Sequence, residues 1–288
     1  MKDNLALGIR YGLLSAFSLA LMSFFVRLIG HHVPTGMILF FRFFFSFLIL
    51  LPFCYLDSKF SFRIHKSYLF FMRAIFGALA MLGFFLCIRS MPLANAILLL
   101  NSAPIYVPMI VFFTVGIKTT KMAWLGVFIS LFGLIIILDP VGNAFFHFAL
   151  LYGLMAGVGS AIATVILRFL SRHYHYSAST ILFYYLLFCT LACGVFLPFV
   201  WTAITLHELL LLGAVGIFGF LFQWFLAKSL QYTKIRLISP LLLSSVVFGA
   251  LFAWLYWGEM LTWQMWVGTL TLTIGLIMVI RFVHVAHV

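Results

Sequence analysis

Apolar runs of about 20 residues dominate the chain, and short interruptions of proline, charge and histidine separate them. Ten runs can be read: about Gly8–Ile29, Thr35–Tyr55, Ser67–Ile88, Leu93–Val115, Met122–Leu138, Phe148–Leu170, Ala178–Val200, Leu209–Leu230, Leu237–Trp257 and Trp263–Phe282. About 20 apolar residues in a helix cross a hydrocarbon core of roughly 30 Å. Lipid offers no partner to a backbone N–H or C=O, so each run is predicted to be a helix that satisfies its own backbone. The breaks agree: Pro34, Pro92 and Pro140 fall between runs, as do Asp57-Ser58-Lys59 and His173-Tyr174-His175.

The runs repeat. Tyr11-Gly12-Leu13, with an apolar run ending at Arg27, returns about 141 residues later as Tyr152-Gly153-Leu154 with a run ending at Arg168. Trp124-x-Gly126 with Gly133 and Ile135 returns as Trp266-x-Gly268 with Gly275 and Ile277. This predicts an all-α membrane protein of ten transmembrane helices, built as two five-helix repeats over residues 1–140 and 147–285. Five crossings are odd, so the second copy enters from the opposite face. Inverted repeats around a midplane site are a design of secondary transporters. The first run is read as structural rather than as a cleaved signal, because its copy lies mid-chain.

Composition narrows the class. The chain is 66% hydrophobic and 8% charged, more apolar surface than a soluble protein of 288 residues can hide. The net charge of +12 is scattered at run ends, with no dense basic stretch, so nucleic acid is not an expected partner. The charges fit the positive-inside rule instead. With the N-terminus in the cytoplasm, one side collects Lys2, Arg10, Lys59, Arg63, Lys66, Lys118, Lys121, Arg168, Arg172, Lys228, Lys234, Arg236 and Arg281, and the other only Arg27 and Arg89. Both termini are therefore expected in the cytoplasm, with membrane lipid as the surrounding partner. The four cysteines sit inside apolar runs without metal spacing and read as packing.

The acids are few: Asp3, Asp57, Asp139, Glu208 and Glu259, each at a run end or in a loop, as are all nine histidines. No paired carboxylates, phosphate-binding glycine loop or nucleophile elbow is present, so an enzyme is not expected, nor any cofactor. Ion-coupled carriers commonly bury an acid or histidine. Its lack near the midplane predicts uniport, exchange or weakly coupled transport.

Arg42 is the sharpest candidate. It lies 8 residues past Pro34, roughly 12 Å into the second helix at 1.5 Å per residue. An arginine at that depth costs about 2.5–3.5 kcal/mol unless it faces a partner or water. It either engages a carbonyl, a helix C-terminus or a substrate anion such as carboxylate or phosphate, or it snorkels or caps a neighbour. Arg73, nearer its helix end, reads as snorkelling. Asn101, beside Pro104 and Pro108 in the fourth helix, and Gln223 in the eighth are amides too costly to face lipid. Each contacts either a neighbouring helix or a ligand. Tyr106 and Trp224 are candidates for an apolar part of a substrate, with Tyr184, Tyr185, Ser244 and Ser245 as weaker ones.

Several phrases resemble one known family. Phe40-Phe41-Arg42, Arg73-Ala74-Ile75-Phe76-Gly77, Met91-Pro92-Leu93-Ala94-Asn95-Ala96 followed by Ala103-Pro104, Ser239-Pro240 and Trp257-Gly258-Glu259 together resemble the EamA-like ten-helix transporters of the drug/metabolite transporter superfamily. Asn95 and Ile117 stand where that family commonly has an Asp and a Glu. The resemblance implies transport of small organic metabolites, often amino acids, across the inner membrane. S-adenosylmethionine or a nucleotide-like metabolite is a second carrier option, and a lipid translocase or channel the non-carrier one. The sequence does not fix oligomeric state, direction or exact substrate. If coupling does not run through a carboxylate, Glu259→Gln keeps whatever pH dependence transport shows; flux assays across a pH series check this, and complete loss of that dependence contradicts it.

Overall fold

A computed structural model describes residues 5–107, 110, 120–138, 146–232, 241–259 and 262–282. All regular structure among these residues is helical: α1 (Leu5–Leu28), α2 (Thr35–Leu56), α3 (Ser67–Ser90), α4 (Leu93–Leu100), α5 (Lys121–Leu138), α6 (Phe146–Arg172), α7 (Ala178–Phe196), α8 (Leu206–Tyr232), α9 (Ser244–Trp257) and α10 (Trp263–Phe282), with a 3-10 turn over Leu197–Phe199. Six of them, α1, α2, α3, α6, α7 and α8, are long and apolar enough to cross a bilayer in their described parts. Asp3, Asp139, Pro140, Pro108, Ile117, Lys118, Lys234, Arg236, Ser239-Pro240 and the start of the ninth predicted run lie outside the described residues.

The elements follow the pattern closely, and where they depart the reason is local. The predicted seventh run gives up its α-helix at Phe196 and closes with the 3-10 turn, where Pro198 supplies no amide for a further helical bond. Its start is capped by Ser177, whose hydroxyl accepts from the Thr180 N–H at 3.2 Å. A capping box opens α8: Thr205 N–H donates to Glu208 at 2.7 Å, and Glu208 N–H donates to the Thr205 hydroxyl at 3.2 Å. The fourth run is not continuous as predicted. It stops after Leu100, turns at Asn101-Ser102, and is helical again over residues 103–107. Pro104 has no N–H to give the Leu100 carbonyl, so the ladder breaks there.

Repeat-related helices pack in a pattern that a two-fold exchange demands. The pair α1·α8 is matched by α6·α3, α1·α9 by α6·α4, and α2·α8 by α7·α3. The pairs α2·α7, α4·α9 and α5·α10 each join a helix to its own copy. The copies run antiparallel. A Cβ placed on Gly126 falls 2.8 Å from the Gly275 carbonyl, and one on Gly133 falls 2.5 Å from the Leu272 N and 2.8 Å from the Gly268 carbonyl. Halfway along this crossing, Ser130 donates to the carbonyl of Leu272 at 3.4 Å. Likewise Gly249 of α9 meets Ile97 of α4, and Ser245 meets Asn101. A helix that lies antiparallel to its own duplicate has been inserted upside down. These are two inverted five-helix repeats.

Small residues set the contact distances. Lipid tails are as apolar as leucine, so helix association in a bilayer relies on close packing and hydrogen bonds between helices. Across α3·α6, a Cβ on Gly83 falls 2.7 Å from the Tyr152 carbonyl, and one on Gly159 falls 2.9 Å from that of Phe76. The related α1·α8 pair is tied by Ser15 donating to the Phe222 carbonyl at 3.0 Å and Ser229 to that of Gly8 at 2.7 Å. At Gly133 the obstacle is backbone, which cannot swing aside, whereas a Cβ on Gly213 meets nothing within 4 Å. Gly133→Val is therefore expected to destabilise the purified protein by about 1–3 kcal/mol or more, seen as a lowered melting temperature in detergent, with Gly213→Ala close to neutral.

Candidate functional site

Four helices, α2, α3, α7 and α8, bring a polar cluster into the interior. Arg42 of α2 is fully buried, and its Nε, Nη1 and Nη2 have no hydrogen-bond partner among the described residues. It lies against Gly219 of α8, where an added Cβ would stand 3.2 Å from the arginine Cγ and Nε. Arg73 of α3 is 3% exposed; its Nη2 donates to Gln223 Oε1 of α8 at 3.2 Å, and its Nε is unpartnered. Tyr185 of α7 is buried beside both. The Arg73 guanidinium stacks 4.6 Å from its ring centroid, and its ring meets Phe43 edge-on at 5.7 Å. Arg42 in turn lies 4.5 Å from the Phe43 ring centroid. The Tyr185 hydroxyl lies close enough to the Arg42 guanidinium to interact with it as an acceptor, short of full hydrogen-bond geometry.

The charge balance of this cluster is one-sided. Among the described residues the acids are Asp57, Glu208 and Glu259, and all stand at helix ends. Desolvating an ion costs several kcal/mol. A desolvated cation–π contact returns about 2 kcal/mol, so the aromatic rings offset only part of it. What the arrangement can do chemically is bind an anion, because planar guanidinium forks match carboxylate or phosphate oxygens.

Arg73 corrects an expectation. Read as snorkelling from its distance to the helix end, it is buried. Depth along a helix says nothing about rotation around it, and Arg73 shares a face with Gly77, over which the Tyr185 ring packs. A glycine one turn from an arginine was the available signal. Of the weaker candidates, Tyr185, with its buried hydroxyl, joins the cluster.

The other candidates separate. Gln223 is in the cluster. Asn101 is 8% exposed and caps α4; its Nδ2 donates to Ser245 Oγ at 2.8 Å and to the Leu242 carbonyl at 3.3 Å. The chain turns at Leu243 just as α4 turns at Asn101, so the two copies break at corresponding positions and are bonded there. Tyr106 is buried against Gly157 of α6 with its hydroxyl unpartnered. Trp224 faces away from the cluster, packed on Phe53 at 5.1 Å and Phe220 at 5.7 Å, with Lys228 over its ring at 5.1 Å. Tyr184 donates to the Phe62 carbonyl at 2.7 Å near a helix end. Ser244 donates to the Leu241 carbonyl at 2.6 Å within its own turn.

One end of the bundle is closed by ions. Arg27 at the end of α1 forms a two-bond pair with Glu259 beyond α9, Nη1 donating to Oε2 at 2.9 Å, and lies 4.9 Å from the Trp257 ring centroid. His32 pairs with Glu208 at 2.6 Å. Arg89 donates to the carbonyls of Gly30 and Val33. A cavity of about 410 Å³ opens beside this pair, lined in part by Arg27, His31, Arg89, Trp257 and Glu259.

The described fold is that of a multi-pass helical membrane protein, and comparison with known proteins gives the family. The profile of the EamA-like transporter family matches twice, over residues 6–139 and 147–281. The chain belongs to that family. Among its relatives, the pseudopaline exporter CntI of Pseudomonas aeruginosa is 26% identical over 265 residues, covering 89% of this chain and 90% of the relative. The S-adenosylmethionine uptake transporter of Rickettsia bellii is 24% identical, covering 90% of this chain and 89% of that one. Human solute carrier family 35 member G1 is 28% identical, covering 89% and 74%. A protein of known crystal structure superposes with a TM-score of 0.65 at 16% identity over 95% of this chain and 94% of its own, a likeness of fold alone. The family and its relatives are transporters, and so is this chain, rather than an enzyme.

Asn101 joins the two copies of the broken helix. Asn101→Ala and Ser245→Ala are expected to couple by about 0.6–1.7 kcal/mol in a double-mutant cycle read by thermal unfolding; fully additive effects would count against the bond.

Proposed function

We propose that this protein is a secondary carrier that moves a small carboxylate-bearing metabolite, an amino acid or a related compound, by alternating access. One observation carries the reading: Arg42 is fully buried, and among the described residues its three guanidinium nitrogens meet no acid and no partner in full hydrogen-bond geometry. A protein that keeps such a group in its interior needs something to meet it, and an anion that arrives and leaves is what a carrier supplies. Gln223 orients the neighbouring Arg73, and the bonded breaks at Asn101 and Leu243 are the kind of discontinuity that transporters place at their sites.

Substrate enters and leaves as the two repeats rock, with the Arg27–Glu259 end and the opposite end opening in turn. In this reading the membrane is the inner, cytoplasmic one. The charges support an orientation: Arg10, Lys59, Arg63, Lys66, Arg172, Lys228 and Arg281 gather at the end opposite Arg27 and Arg89, which favours placing that end and both termini in the cytoplasm. Transport of S-adenosylmethionine or a similar adenosyl metabolite is a second reading. It is favoured by the name of the Rickettsia relative and by chemistry, since that compound carries a carboxylate beside its ring system. A lipid translocase or channel is a third class that the same experiment separates.

The test is counterflow in liposomes loaded with a metabolite panel. Saturable, trans-stimulated uptake is expected; unsaturable flux contradicts a carrier. Arg42→Ala is expected to lower saturable uptake by roughly 10–100-fold, the worth of one hydrogen-bonded charge. Arg42→Lys should not restore it, since a point charge lacks the fork.

A further inference from the structure

The paired arginines carry the reading of the site one step further. We infer that the substrate presents two carboxylates, one to Arg42 and one to Arg73, with the Tyr185 hydroxyl between them as a third donor. This rests on the carrier reading above and adds a charge count to it. Both guanidiniums are buried, at 0% and 3% exposure, so neither reaches the aqueous phase that would screen it. They come from neighbouring helices, α2 and α3, and converge through Phe43 and Tyr185: Arg42 is 4.5 Å from the Phe43 ring, Phe43 is 5.7 Å from Tyr185, and Tyr185 is 4.6 Å from Arg73. Among the described residues, the cluster's donors still open are Nε, Nη1 and Nη2 of Arg42, Nε of Arg73 and the hydroxyl of Tyr185. These are five donor atoms, and no carboxylate among the described residues lies within the interior of the bundle.

A monoanion would leave one cation uncompensated in the closed state; a dianion leaves none. The Arg73–Gln223 bond holds Arg73 without touching its charge, because an amide oxygen is neutral. The arrangement is also lopsided. Both cations belong to the first repeat, and in the second copy the position of Arg42 is filled by Tyr185: Arg42 lies against Gly219 as Tyr185 lies against Gly77, and Ser46 bonds the Gly216 carbonyl as Cys189 bonds that of Ala74. The second repeat supplies only neutral groups, Tyr185 and Gln223. A two-fold scaffold thus presents a +2 charge on one side, which suits a ligand with both carboxylates toward that side.

The experiment compares pairs that differ by one charge at nearly constant shape: succinate with succinamate, glutamate with glutamine, and aspartate with asparagine. The readouts are thermal stabilisation of the detergent-purified full chain and trans-stimulated exchange in liposomes. At least one diacid is expected to outperform its mono-amide by about tenfold or more, within the range for one charge-assisted contact. Arg73→Gln should collapse that difference, whereas Arg73→Lys should retain part of it. Each Gln variant should also raise the melting temperature of the ligand-free protein, since it removes a buried uncompensated cation; this readout needs no ligand. Mono-amides matching their diacids, or no diacid acting at millimolar concentration, overturn the two-carboxylate inference while Arg42-dependent counterflow of another metabolite leaves the carrier reading standing. Saturable uptake indifferent to both arginines overturns both.

Discussion

A guanidinium cannot be taken out of water cheaply, and two of them enclosed together, with no acid among the described residues of the interior, is the constraint around which the rest of this structure is arranged. Arg42 and Arg73 are shielded by aromatic rings, a glycine and one amide, none of which carries a compensating charge. Replacing a buried charge with an apolar side chain is often neutral or stabilising. The pair therefore sits where stability alone would not place it. That is why the central cluster, rather than the more open cavity beside Arg27, anchors the proposed function.

The duplicated scaffold and the asymmetric site are two layers of one design. The backbone obeys the two-fold rule: each helix lies against its antiparallel copy or trades neighbours with it, and glycines bring backbones together at the crossings. Such a frame gives two equivalent ways of opening, one toward each side of the membrane, without two different machines. The side chains break the rule where a substrate has no symmetry to match. Both arginines come from the first copy, the phenol and the amide from the second. At the Arg27 end, the partly buried Arg27–Glu259 ion pair and the His32–Glu208 hydrogen bond join the end of α1 and the α1–α2 turn to the second copy.

Much of this was legible before any coordinates. The apolar runs marked the helices to within a few residues, because lipid leaves helices as the only way for these segments to satisfy their backbones. Arg42 stood out because charge inside an apolar run is rare and costly. The amide of Gln223 stood out for the same reason and does meet the cluster. What escaped was rotation. Trp224 adjoins Gln223 in sequence, but neighbours on a helix point about 100° apart, so Gln223 faces Arg73 while Trp224 faces Phe53. Arg73 was misjudged from depth alone. Asn101 was recognised as needing a partner, but only the folded chain shows that Ser245 and the Leu242 carbonyl provide one.

The sequence by itself determined the solvent, the helix count, the duplication and the scarcity of acids, since each follows from composition and spacing that hold whatever the packing. It could not decide which face of each helix looks inward, because in a run that is apolar all round no amphipathic stripe records the direction. Only the tertiary structure settled that, by crossing backbones at glycines and enclosing two arginines from adjacent helices together, with no acid beside them among the described residues.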